Sequence, residues 1–172
     1  MPQKMHVKIY TDGASRGNPG PGGYGTVLQY ADTKGVLHER ELSRGYKSTT
    51  NNRMELMGVI AGLEALNRPC DVDVYSDSQY VVRAFNDHWI DGWMRRGWMR
   101  NKTDPVKNTD LWQRLLKAKE PHNVAFHWVK GHAGHPENER CDRLAVKAAE
   151  GDIKNLSDDA SPDRQMSFFY SD

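Results

Sequence analysis

His6-Val7-Lys8-Ile9-Tyr10-Thr11-Asp12 decides the reading of the fold. Val7 and Ile9 alternate with polar neighbours, the period of a strand with one face on a core, and the apolar run ends on a carboxylate. The pattern returns at Val72-Asp73-Val74-Tyr75-Ser76, which closes on Asp77. Between them, the Gly/Pro-rich stretch Gly17–Gly23 turns the chain, Tyr24–Tyr30 predicts a second strand and Val36–Tyr46 a third. A helix is expected from Asn51-Asn52-Arg53-Met54, with Met54, Met57, Ile60, Ala61 and Leu63 near helical spacing and Glu55 in its first turn. Pro69-Cys70 breaks it. Ser78 or Asp77 suits the cap of a helix through Tyr80–Phe85, and Leu111–Leu116 is a further helical stretch. Val124–Val129 is the last strand. Pro136 fits the first turn of a last helix with the stripe Cys141, Leu144, Ala145 and Ala148, and Asp142 near its start. Hairpins followed by strand–helix alternation predict an α/β fold, a mixed sheet covered by helices.

Four carboxylates, Asp12, Glu55, Asp77 and Asp142, thus stand at junctions of this pattern. Acids gathered from distant segments repel one another unless something positive holds them. Magnesium is the natural partner, because it is hard, prefers oxygen ligands and commonly bridges protein carboxylates to phosphate. A pair of such ions is a recurrent device for attacking a phosphodiester.

The chain of 172 residues fits one ordinary domain, large enough for a core without staples. The formal net charge of +1 is unevenly spread. Residues 1–150 hold 22 Lys and Arg against 18 Asp and Glu, and residues 151–172 hold 2 against 5. The modestly basic body suits a phosphate-bearing partner. Cys70 and Cys141 lack the spacing of a zinc or redox motif and make no disulfide framework. With no apolar run suited to a signal peptide or a membrane span, a cytoplasmic protein without a membrane partner is expected.

Several motifs run in order from about Val7 to Glu150. They are Tyr10-Thr11-Asp12-Gly13-Ala14, Gly17-Asn18-Pro19-Gly20-Pro21-Gly22-Gly23-Tyr24-Gly25, Thr49-Thr50-Asn51-Asn52-Arg53-Met54-Glu55-Leu56, Ser76-Asp77-Ser78-Gln79-Tyr80, and Trp128-Val129-Lys130-Gly131-His132-Ala133-Gly134-His135 running on through Pro136-Glu137-Asn138-Glu139-Arg140-Cys141-Asp142. Together they resemble bacterial type 1 ribonuclease H. The resemblance implies a ribonuclease H-like fold with a five-stranded mixed sheet in the order 3-2-1-4-5, a central parallel trio, and Asp12 and Asp77 side by side. It implies a catalytic domain over residues 1–150, and the acidic composition of 151–172 reads as a flexible tail. The implied activity is magnesium-dependent hydrolysis of the RNA strand of RNA/DNA hybrids, with two ions per site, manganese as a substitute, and 5′-phosphate and 3′-hydroxyl products.

By the same resemblance, Asp12 bridges both ions, Glu55 and Asp77 complete the first, Asp142 completes the second, and His132 relays protons or helps product leave. His135, beside the helix start, is expected to be structural. An enzyme that cuts RNA opposite DNA must sense 2′-hydroxyls on one strand and their absence on the other. Asn18, Asn51 and Gln79 match family residues that contact the hybrid, and Thr50 matches a contact to DNA phosphate. Trp89-Ile90-Asp91-Gly92-Trp93-Met94-Arg95-Arg96-Gly97-Trp98-Met99-Arg100 interleaves indoles with cations, as a surface gripping a nucleic-acid backbone does. It resembles the family's basic protrusion, with Arg95 and Arg96 facing phosphate and Trp89 and Trp112 lining the DNA groove. Met94 and Met99 stand where lysine would be unsurprising. A monomer is expected. A resolvase-like nuclease of the same fold is disfavoured by the protrusion and the His132 loop, and an inactive binding module by the four intact acids. The polar stretch after Gly151 reads as disordered, and Phe168-Phe169-Tyr170 as a short docking segment.

Overall fold

The computed structural model describes residues 4–131 and 134–159. The alternation that opens the chain becomes β1 (Met5–Ser15), which pairs antiparallel with β2 (Gly20–Ala31), itself antiparallel to β3 (Leu37–Thr49). The turn-rich glycine segment is therefore strand from Gly20 onward. β4 (Cys70–Ser76) and β5 (Asn123–Trp128) complete a sheet in the order β3-β2-β1-β4-β5. The order is the expected one. The parallel trio β1, β4 and β5, however, forms one side of the sheet, with β5 as its edge, rather than the centre.

Among the described residues, five helices cover the sheet: α1 (Asn51–Glu64), α2 (Gln79–Asn86), α3 (Trp89–Arg95), α4 (Thr109–Lys119) and α5 (Pro136–Ala149). Thr50 caps α1, its hydroxyl accepting from the Arg53 amide at 3.3 Å. Ten of the fourteen α1 residues are buried, so this helix has almost no solvent face. It lies against β1 and β2, with α4 beside it, while α5 lies across β2, β1 and β3. Alternate residues of β1 meet different helices. Ile9 and Thr11 touch the α1 glycines Gly62 and Gly58, whereas Asp12 pairs in register with Gly25, over which α5 passes. A Cβ on Gly25 would collide with the Cys141 carbonyl, so glycine here is what lets α5 come down onto the sheet. The core itself is built from Val7, Ile9, Val27, Leu56, Val59, Ile60, Val74 and Leu115, all fully buried. Each contributes roughly 1.5–3 kcal/mol through removal of its side chain from water.

The stretch after Gly151, which has no hydrophobic period, is joined to the body by polar contacts as far as it is described. After a short 3-10 turn at Ile153–Asn155, the Ser157 amide donates to Gly45 at 2.8 Å and the Lys47 amide donates to Ser157 at 2.9 Å. Asp159 then accepts from Arg53 Nε at 2.8 Å, Arg53 Nη2 at 2.9 Å and Thr49 Oγ1 at 2.6 Å. Arg53, only 2% exposed, also donates to both oxygens of Asp110 and to Asn108. Phe168-Phe169-Tyr170 lies outside the described residues. Among the described residues, no helix is long and apolar enough to cross a membrane.

Candidate metal centre and nucleic-acid face

The parallel pairing of β1 with β4 stops at Thr11 and Ser76. The next residue in each segment is an acid, Asp12 and Asp77, so two carboxylates stand side by side where the parallel pairing stops. β1 continues along β2, and Asp12 remains within the strand rather than ending it. Asp77 is held at its backbone: its carbonyl accepts from Trp128 Nε1 at 3.2 Å, and the Val129 amide donates to Ser76 at 2.9 Å. Ser78, not Asp77, caps α2, accepting from the Val81 amide at 3.3 Å.

Glu55 comes from α1. It lies in the second turn rather than the first, and that places it inward, 4% exposed, instead of at the solvated helix start. Gly13 makes the meeting possible, because a Cβ there would strike the backbone at Met54 and Glu55. One oxygen from each of Asp12, Glu55 and Asp77 lies within 4.8 Å of the others. Asp142, the seventh residue of α5 and so nearly two turns in, lines the same cleft as Asp12 and Asp77 but stands outside that tight triad.

This arrangement is costly by itself. Burial, then the charge of Asp77, pushes the Asp12 carboxyl up to about 8, with Asp142 adding to the effect. Burial and the charges of Asp12 and Asp77 raise Glu55 well above the usual carboxylate range. Glu55 Oε2 is buried and has no hydrogen-bond partner among the described residues. An oxygen left without a donor, beside two more carboxylates, is the donor set a hard divalent cation takes. The residues present fit such an ion. Cys141 lies close by, but burial pushes its thiol up to about 12, which keeps it protonated and inert.

The expected hybrid contacts gather at the same end of the sheet. Asn51 is exposed at the first position of α1, one turn before Glu55, and its amide donates to Asn18 Oδ1 at 2.9 Å. Asn18 is fixed in turn by Ser15 Oγ at 3.1 Å. Gln79 is exposed at the first position of α2, two residues beyond Asp77. Arg95 and Arg96 are exposed at the end of α3, and Trp89 is half-buried beneath Arg83, whose guanidinium lies 5.2 Å from its ring centre.

Trp112 corrects the sequence reading. It is fully buried, its Nε1 donating to Tyr80 Oη at 3.0 Å and its ring packed edge-on to Trp93. It has no surface to offer a groove and instead packs α4 against α2 and α3. His132 lies outside the described residues. His135 is the cap residue of α5, but its side chain makes no cap bond and faces the cleft instead.

Sequence reasoning gave no role to Lys130, Asn138 or Glu139, which line the cleft, or to the half-exposed Trp128 that holds Asp77. For Asn138 a signal was present, since it lies four residues before Asp142 and therefore on the same helix face.

Acids side by side where the parallel pairing stops, met by an inward glutamate, define a class of carboxylate centres suited to a divalent cation. The RNase H family model matches residues 4–150, and the chain belongs to that family as a bacterial type 1 member. The Lachnoclostridium phytofermentans ribonuclease H is 68% identical over 156 residues, covering 90% of this chain and 98% of that protein. The Thermus thermophilus ribonuclease H is 52% identical over 151 residues, 88% of each chain. Among solved structures, LC9-RNase H1, a type 1 RNase H with the type 2 active-site motif, superposes with a TM-score of 0.78 at 34% identity, over 97% of this chain and 82% of that one. LC11-RNase H1 in complex with an RNA/DNA hybrid gives 0.56 at 26% identity, over 84% and 96%.

Proposed function

We propose that this protein hydrolyses the RNA strand of RNA/DNA hybrids with two magnesium ions, leaving 5′-phosphate and 3′-hydroxyl ends, and that it acts as a cytoplasmic monomer. The observation that carries the metal reading is the orphaned Glu55 Oε2 inside a triad of acids whose oxygens lie within 4.8 Å of one another. Asp12, Glu55 and Asp77 would hold the first ion, and Asp12 with Asp142 the second. Bound there, the ions supply positive charge for activating water and for the developing charge on the leaving oxygen. Manganese has the same preference for oxygen donors and would substitute.

The chain's own residues do the rest. Asn18 and Asn51, fixed to each other, present short polar groups to the sugar edge, and Gln79 does so from the next strand end. Thr50 and the α3 arginines hold the DNA strand through its phosphates, with Trp89 as an apolar support. These contacts sort the two strands before any chemistry, because only one carries 2′-hydroxyls. His132 relays protons or helps product leave. Residues 1–150 form the catalytic unit.

Asp77→Asn tests the reading, because it keeps shape while removing one charge from the triad. Cleavage of an RNA/DNA duplex in magnesium should be abolished while hybrid binding persists. RNA/RNA and DNA/DNA duplexes should remain uncut by the unaltered enzyme. Near-normal turnover in the variant would refute the metal assignment.

A further inference from the structure

Asn138 Nδ2 is buried and has no hydrogen-bond partner among the described residues. A buried amide donor without an acceptor is destabilising, and such groups in a folded protein need a reason. Asn138 lies in the wall of the cleft formed with Asp12, Asp77 and Asp142, all carboxylates rich in acceptor lone pairs. Its donor bonds to none of them in the structure. It is also the third residue of α5, in the turn opened by Pro136, and one turn before Asp142. Helical geometry therefore aims it along the same face as that acid.

A donor held unsatisfied among acceptors is reserved for an acceptor that arrives with the substrate. Within a cleft of this polarity the oxygen that arrives is phosphate. We infer that Asn138 is a further catalytic residue, donating Nδ2–H to a non-bridging oxygen of the scissile phosphate. The inference rests on the proposed phosphodiester hydrolysis. The bond adds a neutral donor where the cleft otherwise offers acids, the Lys130 ammonium and His135. It orients the phosphorus for attack without competing for the carboxylates, and it involves no covalent step.

The test is a cycle between a side chain and a substrate atom. Unaltered enzyme and Asn138→Ala are compared on three hybrids, one with ordinary phosphate at the scissile position and one with each phosphorothioate diastereomer. Sulfur accepts hydrogen bonds poorly. With ordinary phosphate, Asn138→Ala should lower kcat by roughly 10- to 100-fold, the effect of losing one hydrogen bond to a charged oxygen, with KM little changed. One thio diastereomer should slow the unaltered enzyme more than it slows the variant, because the variant has no amide to donate to that atom. Thio effects of metal origin are equal in both enzymes and cancel.

Equal thio effects in the two enzymes for both diastereomers would overturn the inference even if kcat fell, because the loss would then be structural. An unchanged kcat would overturn it directly. Asn138→Gln, which keeps the amide on a longer arm, should recover part of kcat, and no recovery alongside equal thio effects again assigns a structural role. An unaltered enzyme that leaves the hybrid uncut would instead overturn the function reading, which separates the two failures.

Discussion

Replacing Asp159 by alanine should destabilise the protein by about 3 kcal/mol while leaving turnover intact. The carboxylate is 7% exposed and faces an arginine side chain that is 2% exposed. Removing one partner of such a buried pair typically costs about 3–5 kcal/mol, because the remaining charge is stranded. Here Arg53 keeps both oxygens of Asp110 and the Asn108 carbonyl, so the lower end of that range applies. The hydrogen bonds removed from Arg53 Nε, Arg53 Nη2 and Thr49 Oγ1 make up the effect. For a chain of this length about 1 kcal/mol moves Tm by roughly 2–4 °C, which places the expected drop near 6–12 °C. The assay is thermal unfolding by circular dichroism at fixed pH and magnesium, since bound metal shifts Tm by mass action. Asp159→Asn, which keeps the shape and an acceptor but not the charge, should fall between. Hybrid cleavage well below both midpoints should be unchanged. A Tm within about 2 °C of the parent's would refute the reasoning and show that Asp110 alone satisfies Arg53.

Three further outcomes follow from the same structure. In chelator, Asp12 holds a folded-state value of about 8 against an unfolded value near 3.8; its protonation therefore stabilises the fold fully below about pH 4, and that contribution is lost as pH rises through about 8. Asp12→Asn should consequently gain stability over the metal-free parent by an amount that grows from about pH 4 to about pH 8, while losing activity, and a pH-independent difference would contradict the crowding of the acids. Alanine at Arg95, Arg96 and Arg100 together should raise KM and flatten the salt dependence of hybrid binding by about one unit of slope for each phosphate no longer neutralised, with kcat little changed; a collapse of kcat at saturating hybrid would move these arginines into the chemistry. His132→Ala should lower kcat by roughly 10²-fold at saturating hybrid and magnesium, and His135→Ala much less; the reverse ranking in folded variants would exchange their roles.

Much of the architecture was legible because its signals are local. Val7 and Ile9, the Gly/Pro punctuation after Ser15, and Pro136 each mark an element without reference to anything distant. Strand order is non-local, and the family motifs supplied it. The carboxylates were legible as a set, but their depth was not. Glu55 read as a first-turn acid at a solvated helix end, whereas the cap at Thr50 moves it into the second turn and inward. Trp112 misled for a related reason. An indole among cations suits either a groove or a core, and only the packing of α4 on Tyr80 and Trp93 decides between them. Residues 151–159 carry no hydrophobic period at all, and their attachment includes the bond to Arg53, more than a hundred positions earlier in the chain. No window of sequence contains that bond.

The nearly complete burial of α1 sets the acid triad between supports of unequal stiffness. Amides of a helix this buried should exchange their hydrogens mainly through large-scale opening, so Glu55 is rooted in a well-protected element of the fold. The cleft wall at Lys130 and Gly131 follows the edge strand β5, whose outer side has no neighbour in the sheet among the described residues. Local opening there needs far less free energy than global unfolding. Glu55 thus acts as a fixed ruler for the triad, while the wall at Lys130 and Gly131 has the weaker anchorage in the sheet.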